Sequence, residues 1–185
     1  MIGWIILGIV VVAIIYVISV YNKLKTIENR VENAWSQIDV QLQRRFDLIP
    51  NFVETVKGYM THESETFEKI AALRTSWANA GSVADKANID NQLSGALKNI
   101  MAVSENYPEL KANQNFADLS EELRNTENKI SFSRQFYNDT VTKFNTKLEL
   151  YPSNIIANSF GFKQKDLFAA ESEEARKNVK VDFEN

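Results

Sequence analysis

The stretch that decides the architecture is residues 2–21, which read IGWIILGIVVVAIIYVISVY. It holds no Asp, Glu, Lys or Arg, although the whole chain carries 21 basic and 24 acidic side chains. A helix of these 20 residues spans ~30 Å, which matches the hydrocarbon core of a bilayer. Trp4 lies near one end and Tyr16 and Tyr21 near the other, as expected for aromatic rings at the two membrane interfaces. We therefore predict a transmembrane anchor over residues 1–22.

A cleaved signal peptide is the main alternative for this stretch. Such a peptide has a basic start, an apolar core of about 7–15 residues and a cleavage site of small residues. Here the apolar run is longer, only Met1 precedes it, and Ser19-Val20-Tyr21 matches the cleavage pattern poorly. The chain has no Cys that could be acylated as in a lipoprotein. The pattern favours an uncleaved anchor.

The basic residues beside the anchor predict its orientation. Lys23, Lys25 and Arg30 follow the span, whereas only the terminal amino group precedes it. Because Lys and Arg close to a span tend to stay inside the cell, we expect the rest of the chain in the cytoplasm.

After residue 22 the apolar residues recur every three or four positions, which is typical of amphipathic helices. Four segments of this kind predict an all-α fold, an antiparallel up-and-down four-helix bundle over residues 23–152. Trp35 and Trp77 fall in or beside the apolar stripes and are expected in the core. Helix ends are expected at 80–82, where Ser82 and Asp85 resemble a capping box, at Tyr107-Pro108 and at Tyr151-Pro152. Asn115 and Asp118 are candidate caps of the fourth helix.

The first break is ambiguous, because Asp47-Leu48-Ile49-Pro50 fits either a tight turn or a kink in one long helix. The apolar phase continues across Pro50, as a kink would require. A turn, however, gives four segments of similar length, and we favour the turn.

The end of the chain has a different character. Residues 153–168 are rich in apolar side chains without a clean period, and we expect them to pack on the base of the bundle. In an up-and-down bundle this segment returns to the bilayer, so Phe160, Phe162 and Phe168 are candidate membrane-interface residues. Residues 169–185 are charged and predict a mobile tail.

Several short sequence motifs resemble those of the LemA family. They include Ala34-Trp35-Ser36-Gln37-Ile38-Asp39, Asp47-Leu48-Ile49-Pro50-Asn51, Tyr107-Pro108-Glu109-Leu110-Lys111 and Phe160-Gly161-Phe162. The resemblance runs in order from the anchor to about Phe168. It implies a bacterial protein with a short N-terminal anchor and an antiparallel four-helix bundle, and hence a single-pass protein of the inner membrane. The family brings no established catalytic residues, so none is carried over.

The residues argue against catalysis and against nucleic-acid binding. His62 is the only histidine and no Cys is present, which leaves few metal ligands or nucleophile pairs. A net charge of −3 with no basic stripe disfavours nucleic acid. We expect no cofactor and no metal.

Arg44, Arg45 and Asp47 form the candidate interaction patch, at the expected end of the first helix. They could bind a partner through charge-assisted hydrogen bonds or could pin the turn. The sequence therefore predicts a membrane-tethered, non-enzymatic scaffold that binds proteins or self-assembles. The alternative is a lipid-organising or membrane-shaping protein that uses the anchor and the aromatic segment.

Overall fold

The structure is a computed structural model that describes residues 1–60 and 62–168. The predicted mobile tail, 169–185, lies outside the described residues. Six helices follow one another: α1 Ile2–Lys57, α2 Ser64–Asn79, α3 Val83–Ser104, α4 Pro108–Lys111, α5 Gln114–Glu149 and α6 Ser153–Ser159. The described part of the chain contains no strand, so the all-α prediction is confirmed.

The N-terminal part of α1 has the properties of a membrane span. By length and composition it is apolar enough to cross a bilayer, and none of its best 18-residue window is buried in the structure. Trp4, Ile9 and Ile15 are each more than 60% exposed. A continuous row of exposed apolar side chains needs a non-aqueous surrounding, and the apolar helix therefore indicates a membrane anchor.

The favoured turn at Pro50 is wrong, because α1 runs through this residue to Lys57. The apolar stripe explains why: Phe46, Ile49, Phe52 and Val56 are all buried and stay in phase on both sides of the proline. Burying this stripe outweighs the cost of a proline inside a helix, which is about 3 kcal/mol. The actual break comes at Gly58, and a lysine in the last turn followed by glycine is a helix-stop signal that the sequence already carried.

The other predicted helix ends agree with the structure more closely. Ser82 caps α3 by accepting a 3.0 Å hydrogen bond from the backbone N–H of Asp85, as the capping box predicts. The cap of α5 is Asn113, whose side-chain oxygen accepts from the N–H of Phe116 at 3.1 Å. The candidate cap Asn115 was therefore placed two residues too late, and it lies inside α5.

The described chain divides into two compact units. The first unit comprises Met1–Gln41 and Asn128–Leu167, and the second comprises Leu42–Glu127 with Phe168. Both α1 and α5 belong in part to each unit. No break in α1 marks the expected boundary between the anchor and the bundle at residue 22.

In the first unit, α1 and the second half of α5 pack against each other. The rings of Trp35 and Tyr137 lie 5.8 Å apart. Nearer the anchor, Phe162 lies between Tyr21 of α1 and Phe144 of α5, with ring centroids 5.7 and 6.3 Å apart. The contacts move back along α1 as they move forward along α5, so the two helices run antiparallel.

In the second unit, four helices supply one core. Phe46 of α1 stacks on Trp77 of α2 at 4.5 Å, and Phe52 of α1 stacks on Phe116 of α5 at 5.8 Å. Leu93 and Ile100 of α3 are almost completely buried. Trp77 is a core residue, as its position in the apolar stripe predicted.

Candidate interaction surfaces

The structure separates the three residues of the predicted interaction patch. Arg44 is half exposed and forms an ion pair with Glu122, and exposed Asp47 accepts a 2.9 Å hydrogen bond from the Gln43 side-chain amide one turn earlier. Arg45 points inward and is 2% exposed. All three lie well inside α1, not at a helix end. An interaction through Arg44 and Asp47 stays a prediction, but Arg45 is not available to a partner.

Arg45 is the centre of a charge network in the second unit, which is buried at Arg45 and Asp90 and reaches the surface at Glu127. Its Nη1 lies 2.7 Å from Asp90 Oδ1 and 2.6 Å from Glu127 Oε2. Ser94 donates a further hydrogen bond of 3.2 Å to Glu127. A buried charge is costly unless its partner stays within hydrogen-bonding distance. These ion pairs therefore hold α1, α3 and α5 in one register.

A sequence signal for this network existed and was missed. Arg45 is three residues after Leu42 and four before Ile49, and so falls in the apolar stripe of α1. Asp90 falls in the stripe of α3 in the same way, three residues before Leu93. Opposite charges at core positions of two helices are a pattern that predicts a buried pair.

The three candidate membrane-interface residues also differ from one another. Phe160 is 56% exposed and its ring lies 4.9 Å from that of Tyr21, at the end of the apolar stretch of α1. Phe162 is half-buried between Tyr21 and Phe144. Phe168 has no exposed surface at all. Its predicted place at the membrane interface is therefore wrong, since a fully buried ring cannot reach lipid.

A glycine cap sets the direction of the aromatic segment. Gly161 has a φ of +74°, and the N–H of Phe162 bonds to the carbonyl of Ala157 while that of Gly161 bonds to Asn158. This is the Schellman pattern that ends a helix at a left-handed residue, and glycine adopts it without strain. The cap turns the chain so that Phe160 and Phe162 both reach Tyr21.

The chain after the glycine cap is bound to α5 by several hydrogen bonds, one of which joins the side chains of Gln164 and Glu149 at 2.8 Å. The Asn145 side chain donates to the carbonyl of Lys165 at 2.9 Å and accepts from its N–H at 3.0 Å. The hydroxyl of Tyr137 donates to the carbonyl of Asp166 at 2.8 Å. Burial, and to a smaller extent the charge of Asp166, raises the pKa of Tyr137 to about 12. These hydrogen bonds hold residues 160–167 against α5.

An exposed apolar patch that was not predicted from the sequence lies on α1 and α5 in the first unit. Val40 is 62% exposed, Phe132 76% and Phe136 51%. Val40 and Phe132 line one shallow groove together with Ser36, Gln37, Gln41, Asn128, Lys129 and Ser133. Phe132 and Phe136 are one helical turn apart and out of phase with the buried stripe of α5, which is the signal that marks them as surface residues. We call Val40, Phe132 and Phe136 the apolar patch.

Residues 1–60 and 62–168 hold no cluster of three or more His, Asp or Glu side chains placed to bind a metal ion. His62 precedes α2, and its backbone N–H donates to the side chain of Glu63.

Comparison with known proteins gives one consistent family. The family model described as the LemA family matches residues 34–183. The protein LemA of Metamycoplasma hominis is 29% identical, with 80% of this chain and 68% of the relative covered. The magnetosome proteins MamQ 1 of Paramagnetospirillum magneticum and MamQ of Magnetospirillum gryphiswaldense are 24% and 22% identical. Those two matches cover 80% of this chain and 64% of each relative, so the chain spans less than two thirds of their length.

Proposed function

The chain belongs to the LemA family, and from this premise we propose that it is a membrane-tethered helical module that binds other proteins and catalyses no reaction. The observation that carries the proposal is the apolar patch, which presents two phenylalanine rings and a valine on the outer face of two packed helices. Exposed apolar clusters on rigid elements are typical of protein-binding surfaces.

The patch is well placed for a tethered binding module. Val40 is 19 residues beyond Tyr21 on the same unbroken helix, which puts it ~28 Å along α1 from the end of the apolar stretch. A partner in the same membrane that has its own helical domain would meet the patch at this height. Because tethering confines both molecules to a surface, a weak contact is sufficient for association.

The absence of a reaction is inferred from the residues and from the relatives. One histidine and no cysteine leave few nucleophiles or bases. The names of the relatives, LemA and MamQ, state no reaction. We propose that the protein lies in the bacterial inner membrane. We also propose that its helical domain lies in the cytoplasm, because Lys and Arg follow the anchor.

Cysteine chemistry offers a sharp test, because the natural chain contains no cysteine. Phe132→Cys places one thiol in the apolar patch, and Ser131→Cys places one on a neighbouring exposed position that points about 100° away around α5. A photoactivatable cross-linker attached to each thiol in intact cell membranes would capture the partner.

We expect discrete cross-linked species from Phe132→Cys and far fewer from Ser131→Cys, with mass spectrometry identifying either another protein or a second copy of this chain. The same yield and the same species from both variants would contradict the proposal.

A second candidate function is a lipid-organising or membrane-shaping role, favoured by the contact between Phe160 and Tyr21. Reconstitution of the full chain in vesicles and measurement of vesicle size by electron microscopy would test it. Vesicles that keep their size distribution at increasing protein content would count against it.

A further inference from the structure

The end of the first unit that lies beside the anchor carries a second exposed apolar cluster. Leu150 is 48% exposed, Tyr151 79%, Ile155 55% and Phe160 56%. These four residues follow one another in the turn after α5, in α6 and at its end. We call them the apolar rim. The rim and the apolar patch share no residue, so a role of the rim does not depend on the proposed protein-binding function.

The rim lies at the height where the membrane span ends. Trp35 and Tyr137 face each other, and Tyr21 is 14 residues before Trp35 while Tyr151 is 14 residues after Tyr137. In antiparallel helices equal separations give equal heights, so Glu149, the last residue of α5, lies level with Lys23 of α1, ~18 Å from the Trp35–Tyr137 pair. Tyr151 follows two residues later. The contact of Phe160 with Tyr21 independently puts the rim at this level.

The position of the rim along the axis of α1 is fixed by the fold. The helix α1 is unbroken from Ile2 onward, so no flexible linker separates the anchor from the part that packs on α5. Residues 160–167 are in turn fastened to α5 by Asn145 and Tyr137. When the anchor sits in the bilayer with Tyr21 at the interface, the rim lies level with the headgroups. The tilt and rotation of the first unit then decide whether the side chains of the rim enter the lipid.

The charges around the rim differ from those of the chain as a whole. Residues 22–30 and 143–167 contain seven Lys or Arg and three Asp or Glu, a net charge of +4, whereas the whole chain has −3. Lys23, Lys143 and Lys163 are exposed. A basic surface with exposed aromatic and aliphatic side chains is the combination that binds an anionic membrane surface.

We propose that the apolar rim and the lysines around it form a second membrane-binding site, which docks onto the anionic lipid headgroups of the same bilayer that holds the anchor. The aromatic and aliphatic side chains of the rim enter the boundary between headgroups and acyl chains, and the lysines contact the phosphates. Two contacts with one membrane fix the tilt and rotation of the first unit, which a single span does not.

The test uses the full chain in nanodiscs, with one introduced cysteine carrying a fluorescent label. Ile155→Cys places the label in the rim, and Ser131→Cys places it 20 residues before Tyr151, which is ~30 Å farther from the bilayer along α5. The probe is a phosphatidylcholine bilayer with or without phosphatidylglycerol, doped with a lipid that bears a nitroxide quencher just below its headgroup.

We expect strong quenching of the Ile155→Cys label in the anionic nanodiscs, weaker quenching in phosphatidylcholine alone, and none for Ser131→Cys. Replacing Lys143 and Lys163 by Gln should lower the ratio of docked to undocked protein by about fivefold per lysine, since each basic residue near an anionic surface contributes about 1 kcal/mol. Far-ultraviolet circular dichroism would verify that the variants remain helical.

Equal quenching at the two positions would overturn the proposal, and so would equal quenching of the Ile155→Cys label in the two lipid mixtures. If the Ile155→Cys label is not quenched by the nitroxide lipid, and its fluorescence changes only when other membrane proteins are added, the rim binds a protein partner. That result would also overturn the proposal. None of these results depends on whether the apolar patch binds a protein.

Discussion

The Arg45 guanidinium lies 2.7 Å from the carboxylate of Asp90, 45 residues away in sequence, and both side chains are buried. Arg45→Met should therefore remove the guanidinium that pairs with the Asp90 carboxylate inside the second unit and lower the free energy of unfolding by about 3–5 kcal/mol. Urea unfolding of the full chain in detergent, followed by circular dichroism, would measure the loss.

Arg44→Met is the matched control for that substitution. Arg44 pairs with Glu122 at the surface, where solvent screens the charges. The expected cost is less than about 1 kcal/mol. Similar losses for the two variants would show that Arg45 does not act through a buried pair.

Tyr137 should make the stability of the chain depend on alkaline pH. The pKa of this residue is raised to about 12 in the folded chain, whereas the usual tyrosine pKa is 10.0. The unfolded chain thus loses the proton first, so the contribution of Tyr137 is fully present below pH 10 and is lost as the pH rises to about 12.

Tyr137→Phe should remove this component of the pH dependence and cost about 1 kcal/mol at pH 8, because the hydrogen bond to Asp166 is lost. The measurement is the difference in unfolding free energy between the natural chain and the variant from pH 8 to 12. A difference that stays constant above pH 10 would contradict the assignment.

Two Gly→Ala substitutions should change stability in opposite directions. Gly161 has a φ of +74°, so Gly161→Ala forces a side chain into the left-handed region and should cost about 1 kcal/mol. Gly95 lies inside α3, and a Cβ there would meet no atom within 4 Å. Gly95→Ala should accordingly stabilise the chain by about 0.5–1 kcal/mol. Thermal unfolding of both variants would check the signs, and a stabilising Gly161→Ala would show that the cap is not glycine-dependent.

Pro50→Ala should stabilise the chain, because Pro50 lies inside α1. Alanine restores a backbone N–H donor to the helix, and the free energy of unfolding should rise by about 1–2 kcal/mol. Thermal unfolding would measure the change. A loss of stability would show that the fixed φ angle of Pro50 contributes more to α1 than the missing hydrogen bond costs.

Features that depend on short separations along the chain could be predicted from the residues alone. The missing charge over residues 2–21, the recurrence of apolar residues every three or four positions and the Ser82 cap are all local, so the apolar helix, the all-α class and most helix ends could be predicted. Helix geometry relates residues only a few positions apart, and periodicity is therefore a direct record of it.

Which residues meet across the fold follows from the packing of distant helices. This packing placed Arg45 against Asp90, buried Phe168, carried α1 through Pro50 and left Phe132 exposed. The apolar stripes mark Arg45 and Asp90 as core positions and Phe132 as a surface position, but they do not say which residues meet. The Arg45–Asp90 pairing, the burial of Phe168 and the course of α1 through Pro50 depend on the surface buried against distant elements, which no local pattern contains. The anchor depends on both the local sequence and the tertiary packing. Its length and composition can be read from residues 2–21, whereas Tyr21 contacts Phe160 because α5 returns beside α1.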